Sequence, residues 1–325
     1  MTSELAPSPL KLANKRSNED RLFRGVTRGA GLATFVILAL IGVFLFIEAL
    51  PAFRSQGWRF LTNTGWQTTG AHPQFGVLSA LSGSIIIAVI GLIIAIPVSI
   101  SCALFINEYA PDTLLRFIPF KNFLTAAVDL MAAVPSIIYG MWGFFILQPH
   151  MVGLEKWLST FFGSLGIFQN TSGAYTSSFF IAGTIVGIMC MPIITSLCRE
   201  VFSLTPSGER EGAMSLGASR ARVIRDVVFP FSKGGMIGSI MLGLGRALGE
   251  AIAVAIIIAL AFPLNFHVVQ AGGNSIAALI ALQWGAGGNL GTSALLAAGL
   301  VLFILTLIIN MIASRIVNAS KMAGR

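Results

Sequence analysis

Apolar residues in this chain fall into six long runs, separated by polar or glycine-rich segments. The runs cover residues 29–50, 76–106, 123–147, 179–197, 236–262 and 291–312. Each is close to or above the roughly 20 residues that an α-helix needs to cross a bilayer core. They are too long for the strands of a membrane barrel, and backbone groups in lipid must bond within their own segment. The pattern therefore predicts an all-α polytopic membrane protein with six transmembrane helices.

The composition agrees with a membrane location. Of the 325 residues, 55% are hydrophobic and only 10% are charged, whereas soluble domains carry about 25% charged residues. The three cysteines, Cys102, Cys190 and Cys198, lie in or beside apolar runs, so a secreted disulfide framework is excluded.

The basic residues that give the chain its net charge of +8 are unevenly distributed between the connections. Lys and Arg concentrate in the N-terminal tail, the second and fourth connections and the C-terminal end, while Arg54, Arg59 and Lys156 lie on the opposite side. By the positive-inside rule both termini are cytoplasmic. We therefore expect a multi-pass membrane protein in contact with lipid and with no nucleic-acid partner.

The same pattern divides the chain into segments. Residues 1–28 are polar and are predicted to form a disordered cytoplasmic tail. Residues 29–313 form the transmembrane domain, which includes a cytoplasmic loop at 199–235, and residues 314–325 are the cytoplasmic C-terminal end.

The cytoplasmic loop has the residues of two short helices joined by a glycine turn. Thr205 and Pro206 suit the start of the first helix, and Gly217 suits the left-handed position that ends it. Ser219 can cap the second helix, which we expect to stop before Pro230. The alternative is an ordinary amphipathic loop lying on the membrane surface.

The spacing of this loop resembles a known motif. From Glu211 to Pro230 it has the form EGA-x3-G-x9-V-x-F-P, which is similar to the EAA loop of bacterial ABC-importer permeases, EAA-x3-G-x9-I-x-L-P. The resemblance implies a type I ABC importer permease fold, and it implies that Glu211, Gly212, Ala213 and Gly217 couple the chain to an ATPase subunit. Gly212 replaces the usual alanine, a change that weakens a helix by roughly 1 kcal/mol.

Two charged residues interrupt the fifth apolar run. Arg246 and Glu250 are four residues apart and are predicted to share one helix face. A charge near mid-bilayer costs at least about 2.5–3.5 kcal/mol, so it should face the interior or a water-filled path. We expect Arg246 to meet an oxyanion and Glu250 to neutralise it when the path is empty; the alternative is a purely structural ion pair.

A third charge, Asp129, lies within the third apolar run. It is a candidate for the substrate path or for pairing with an arginine. The residues alone leave both roles open.

Three further stretches, 103–109, 134–140 and 244–251, make the chain similar to the phosphate-specific ABC permeases. That resemblance implies an importer of inorganic phosphate in which Arg246 and Glu250 serve phosphate passage. It also implies a location in a bacterial inner or plasma membrane, a PstA-like second permease, two copies of a PstB-like ATPase and an outer phosphate-binding protein.

No GxxxxGK[ST] phosphate loop occurs in the sequence. We therefore expect no cofactor on this chain, ATP and magnesium on the partner ATPase, and no enzymatic activity here. The alternatives are a permease for another oxyanion such as sulfate or molybdate, a membrane-embedded lipid-modifying enzyme, or a receptor-like phosphate sensor. The outer histidines lack metal-ligand spacing.

Overall fold

The computed structural model describes residues 18–68, 73–111, 113 and 119–322. Contacts within the chain divide it into two units, residues 1–47 and residues 48–325. Residues 1–17 of the predicted tail and residues 323–325 of the predicted C-terminal end lie outside the described residues.

The first unit is helical throughout its described part. Helix α1 (Asn18–Gln56) begins earlier than the sequence pattern indicates, so residues 18–28, which were assigned to the tail, are helical. Glu19 and Asp20 lie in its first turn, where negative charge favours a helix. Hydropathy alone missed this start because the first turns of α1 are polar.

The second unit is built almost entirely of helices. After the end of α1, its α-helices are α2 (Arg59–Thr62), α3 (Leu78–Leu104), α4 (Phe120–Ala133), α5 (Ser136–Trp142), α6 (Gln148–Phe162), α7 (Phe179–Ser203), α8 (Ser207–Ser215), α9 (Arg220–Val223), α10 (Phe229–Gly249), α11 (Ile252–Ile257), α12 (Ile276–Gln283) and α13 (Gly288–Met322).

Shorter elements join or extend these helices. The π-helical turns are Phe105–Tyr109, Gly143–Leu147 and Ile224–Val228, and Gly163–Leu165 is a 3₁₀ turn. Strands β1 (Trp66–Gln67) and β2 (Gln74–Phe75) form an antiparallel pair in which Trp66 lies opposite Phe75.

The part of the chain that the structure describes contains six helices long and apolar enough to cross a membrane. They are Glu19–Gln56, Leu78–Tyr109, Ser136–Leu165, Phe179–Ser203, Arg220–Gly249 and Gly288–Arg315. The predicted number of spans and the all-α class are confirmed.

Helix α7 is the centre of the core and packs along α3. Glycines allow the two backbones to approach closely: a Cβ on Gly187 would lie 2.8 Å from the carbonyl oxygen of Gly91, and one on Gly183 would lie 2.7 Å from Cβ of Ile90. Small residues at a helix crossing are typical of membrane packing, where close van der Waals contact replaces the hydrophobic effect.

The third span differs from the prediction. The expected helix 123–147 is broken at Val134 and Pro135, which have extended ψ angles of 128° and 140°. A residue before proline avoids the α conformation, and proline cannot donate a backbone hydrogen bond. The long helix therefore starts at Ser136 and continues to Leu165, and Phe120–Ala133 is a separate helix.

The fifth span also differs. The predicted run 236–262 contains a break, because α10 ends at Gly249 and Glu250 has an extended ψ of 114°. At its other end the helix extends back through Ile224–Val228 to Arg220. Apolar composition continues across the break, so hydropathy could not locate it.

Candidate functional site

A cavity of about 580 Å³ lies between three of the long helices. Helix α7 contributes one lining residue, α10 contributes five and α13 contributes one: Ile193, Gly238, Met241, Leu242, Gly245, Arg246 and Asn310. Gly238 and Gly245 have no heavy atom within 4 Å of a would-be Cβ, so the two glycines help to keep this space open.

Arg246 is the one charged side chain among these lining residues. It lies at mid-height of α7, because Ile193 lines the same cavity and Cys190 Sγ donates to the carbonyl oxygen of Gly243, one turn before Arg246, over 3.5 Å. Its Nε atom is buried and has no hydrogen-bond partner in the described structure. Arg246 therefore lines an open space and carries a buried donor that the described residues leave unsatisfied.

The end of α10 gives Arg246 a local source of stabilisation. Because the helix stops at Gly249, Arg246 lies in its last turn, where the carbonyl ends of the helix dipole favour a cation by roughly 0.3–2 kcal/mol. That is less than the roughly 2.5–3.5 kcal/mol cost of an arginine in the bilayer centre. Water or an anion in the cavity has to supply the remainder.

The predicted pairing of Arg246 with Glu250 is wrong in this structure. Within the described residues no ion pair joins them, since the helix ends between the two positions. Instead Glu250 is 9% exposed, and its Oε1 accepts a hydrogen bond of 3.0 Å from the backbone N–H of Ala253. Glu250 caps the start of α11, and the expectation that both side chains share one helix face fails.

Asp129 pairs with an arginine. Its Oδ1 accepts a 2.9 Å hydrogen bond from the hydroxyl of Ser196, and its Oδ2 lies 3.8 Å from Nη2 of Arg199. Ser196 follows Ile193 by one turn of α7, and Ile193 lines the Arg246 cavity. The Asp129 cluster therefore lies one turn of α7 away from that cavity. Nη1 of Arg199 is buried without a hydrogen-bond partner in the described structure.

The loop predicted for coupling forms a short, largely exposed helix followed by a tight turn. Helix α8 contains Glu211 and Gly212, which are exposed, and Ala213, which is half-buried. Gly217 has φ +82°, as predicted, and the backbone N–H of Ala218 donates to the carbonyl oxygen of Ala213 over 3.1 Å. This is the hydrogen-bond pattern of a glycine-terminated helix.

Other details of the loop differ from the prediction. Thr205 is buried rather than capping, Pro206 precedes α8, and Ser219 makes no side-chain cap hydrogen bond. The second helix does not stop before Pro230. The π-helical turn Ile224–Val228 directly precedes α10, and this irregular turn accommodates a residue that has no N–H to donate.

Two other polar contacts, one partly buried and one fully buried, were missed by the sequence analysis. Arg210 of α8 forms an ion pair of 2.7 Å with Glu108, at the end of the second span. In α6, Glu155 is fully buried, and the hydroxyl of Ser178 donates to its Oε1. The two partners of each contact are separated in sequence, by 102 and 23 positions. The only sequence signal for the Arg210–Glu108 pair is that the two residues have opposite charges and lie in the connections that follow two predicted spans.

These features define a class of protein. Residues 95–321 match the family described as the inner membrane component of binding-protein-dependent transport systems. Solved structures share the fold: the MetNI methionine ABC transporter, at 18% identity and a TM-score of 0.50, covers 75% of this chain and 94% of that chain. A bacterial alginate ABC transporter, at 17% identity and a TM-score of 0.50, covers 92% and 99%. The chain is a membrane permease subunit of the ABC-transporter type.

Curated relatives narrow the class. The chain is 37% identical over 309 residues to the phosphate transport system permease protein PstC 2 of Mycobacterium tuberculosis, covering 94% of this chain and 93% of the relative. It is 38% identical over 290 residues to PstC of Haemophilus influenzae, covering 88% and 89%. The chain belongs to the PstC family of permeases.

Proposed function

We propose that this chain is the transmembrane permease subunit of an ATP-driven importer of inorganic phosphate. The observation that carries the proposal is Arg246: this arginine lines a cavity of about 580 Å³ between membrane helices, and its buried Nε has no hydrogen-bond partner in the described structure. The names of the PstC relatives supply the substrate.

Phosphate suits the chemistry of this residue. A guanidinium is permanently charged and presents paired N–H donors that match two oxygens of a phosphate. The helix dipole offsets only part of the cost of the cation, so an anion entering the cavity replaces water on donors that the protein leaves unsatisfied. Binding at this position stays modest because the cavity also holds apolar side chains, and a transported ion must be able to leave.

Glu250 and Asp129 remain proposed path residues with altered roles. Glu250 caps α11 directly after the last turn of α10, and we assign it the task of fixing the position of Arg246. Asp129 holds Arg199 one to two turns further along α7. Phosphate that has passed Arg246 would meet this second guanidinium next, with Asp129 neutralising Arg199 when no anion is present.

The partners follow from the same assignment. A PstA-like second permease would complete the path, and two copies of a PstB-like ATPase would bind ATP and magnesium. One ATPase subunit would receive α8 of this chain, including Glu211 and Ala213. An outer phosphate-binding protein would deliver the ion, with both termini of this chain in the cytoplasm of a bacterial cell.

Uptake of labelled phosphate tests the proposal. The chain, its second permease and its ATPase are reconstituted together in proteoliposomes, and uptake is measured with and without ATP and the binding protein. We expect uptake that requires ATP and the binding protein, and that excess sulfate does not inhibit. Uptake of sulfate or molybdate in place of phosphate would assign another oxyanion, and ATP-independent turnover of a lipid would contradict a transport role.

A further inference from the structure

Arg210 links α8 to two membrane helices at once. Its Nη1 donates to Oε1 of Glu108 over 2.7 Å, and its Nη2 donates to the carbonyl oxygen of Phe202 over 2.5 Å. Glu108 belongs to the π-helical turn Phe105–Tyr109 that ends the second span, and Phe202 lies in the last turn of α7. One side chain thus connects α8 both to the neighbouring end of α7, eight residues before Arg210, and to the end of the second span, 102 residues before Arg210.

The contact is removed from solvent and supported by neighbours. The side chains of Arg210 and Glu108 are only 19% and 14% exposed. Asn107 Nδ2 donates to Oε1 of Glu108 over 2.7 Å, and Arg220 Nη1 lies 3.5 Å from the carbonyl oxygen of Glu108. Low exposure strengthens a charge-assisted hydrogen bond because little water competes for the donors.

The rest of α8 offers few alternatives for attachment. No residue of α8 is buried, and Arg210 and Ala213 are its half-buried members; the others are exposed. The nearby ion pair of Arg225 with Asp226 is different in kind: it spans 3.9 Å between side chains that are 87% and 58% exposed. Exposed pairs of that sort contribute little, whereas Arg210 is held by two directed bonds.

We propose that the Arg210–Glu108 ion pair, with the bond from Arg210 to the Phe202 carbonyl, transmits movement of α8 to the second and fourth spans. This rests on the proposed function, in which an ATPase moves α8. An apolar contact can slide when the helix is displaced, but a planar guanidinium bonded in two directions resists displacement along both. Arg210 is a positioning residue, and it acts on the path only through the helices that it holds.

The test compares phosphate uptake per ATP hydrolysed in the complete reconstituted transporter. We expect R210Q and E108Q to lower this ratio by at least about tenfold, which corresponds to roughly 1.4 kcal/mol, while assembly and ATP hydrolysis persist. R210K keeps the positive charge but replaces the planar fork with a single ammonium group, which we expect to hold only one of the two acceptors, so it should lose less. The single charge reversals E108R and R210E should each lower the ratio. The double variant E108R/R210E, a charge swap that restores opposite charges, should recover part of that loss.

A matched control comes from the same loop. R225Q removes an arginine of the exposed pair and should leave the ratio unchanged. A second measurement does not depend on the transported ion: spin labels at S207C on α8 and I93C on the second span should keep a constant distance through the ATP cycle in the wild type. In R210Q that distance should change when ATP is bound.

The outcomes separate the link from the function on which it rests. Absence of ATP-driven phosphate uptake by the wild type would contradict the proposed function, while the labelled pair would still test the link in the ATP cycle. Wild-type coupling in R210Q and E108Q, or an unchanged label distance in R210Q, would overturn the link alone. Failure of R210Q to assemble, restored by neither R210K nor the charge swap, would also overturn it in favour of a purely structural contact.

Discussion

The two charges of the fifth span have separate tasks, although their spacing suggests one. Arg246 lines a cavity and carries an unpartnered buried donor, and Glu250 caps the next helix through the N–H of Ala253. Four-residue spacing brings side chains together only while the helix continues. Here it ends at Gly249, so the spacing argument fails for this pair.

The cap makes a prediction about Glu250. In E250Q the amide oxygen can still accept from Ala253, so stability should stay close to that of the wild type. In E250A the bond is lost, and the free energy of unfolding should fall by about 1 kcal/mol. Thermal unfolding of the detergent-solubilised transporter would check this. Equal loss of stability in both variants would show that the charge matters rather than the cap.

The role of Asp129 could not be decided from its residue type and position. Before the structure, a path role and an arginine pair were both open. The structure identifies Arg199 as the pairing partner and Ser196 as a second donor. The arginine lies on another helix, 70 positions away in sequence, so spacing within α4 contained no information about it. The path role of Asp129 stays a prediction.

At the scale of helices and turns, glycine and proline give the clearest signals. Gly217 was predicted to end the first loop helix, and its φ of +82° confirms this. Pro135 separates two helices, while Pro230 was expected to end a helix and lies within the continuous helical span Arg220–Gly249. A glycine in the left-handed region ends a helix, but the effect of a proline depends on whether the preceding turn can adjust to the missing N–H.

The turn at Gly217 can be tested by substitution. A β-branched residue in the left-handed region costs roughly 1–2 kcal/mol or more, so G217V should displace α8 and uncouple ATP hydrolysis from uptake. G217N is the matched control, because asparagine tolerates this conformation, and it should remain coupled. Phosphate uptake per ATP distinguishes them. Wild-type coupling in G217V would remove the turn from the mechanism.

For the whole molecule, hydropathy was sufficient to predict six spans and the all-α class, because each span is a long apolar helix. Span boundaries were less predictable. The third span moved toward its C-terminal side because of Pro135, and the fifth moved toward its N-terminal side because of the break at Glu250. An apolar run does not reveal where its backbone leaves the helix.

Contacts between distant segments were the part that one sequence could not supply. Residues 103–109, including Glu108, were singled out for their resemblance to phosphate permeases, and Arg210 lies in the cytoplasmic loop directly before the motif, yet nothing in the sequence joined them. The buried Glu155–Ser178 contact was hidden in the same way. Such pairs depend on helix packing, which α3 and α7 determine through their glycines.

The central claim is that Arg246 serves phosphate passing through this chain, and uptake by the R246A transporter tests it most directly. Loss of a charge-assisted contact of roughly 1.5–3 kcal/mol should lower ATP-driven phosphate uptake by about 10- to 100-fold. R246K, which keeps the charge without the planar fork, should fall between R246A and the wild type, and all three should assemble equally. Wild-type uptake by a correctly assembled R246A transporter would contradict the account.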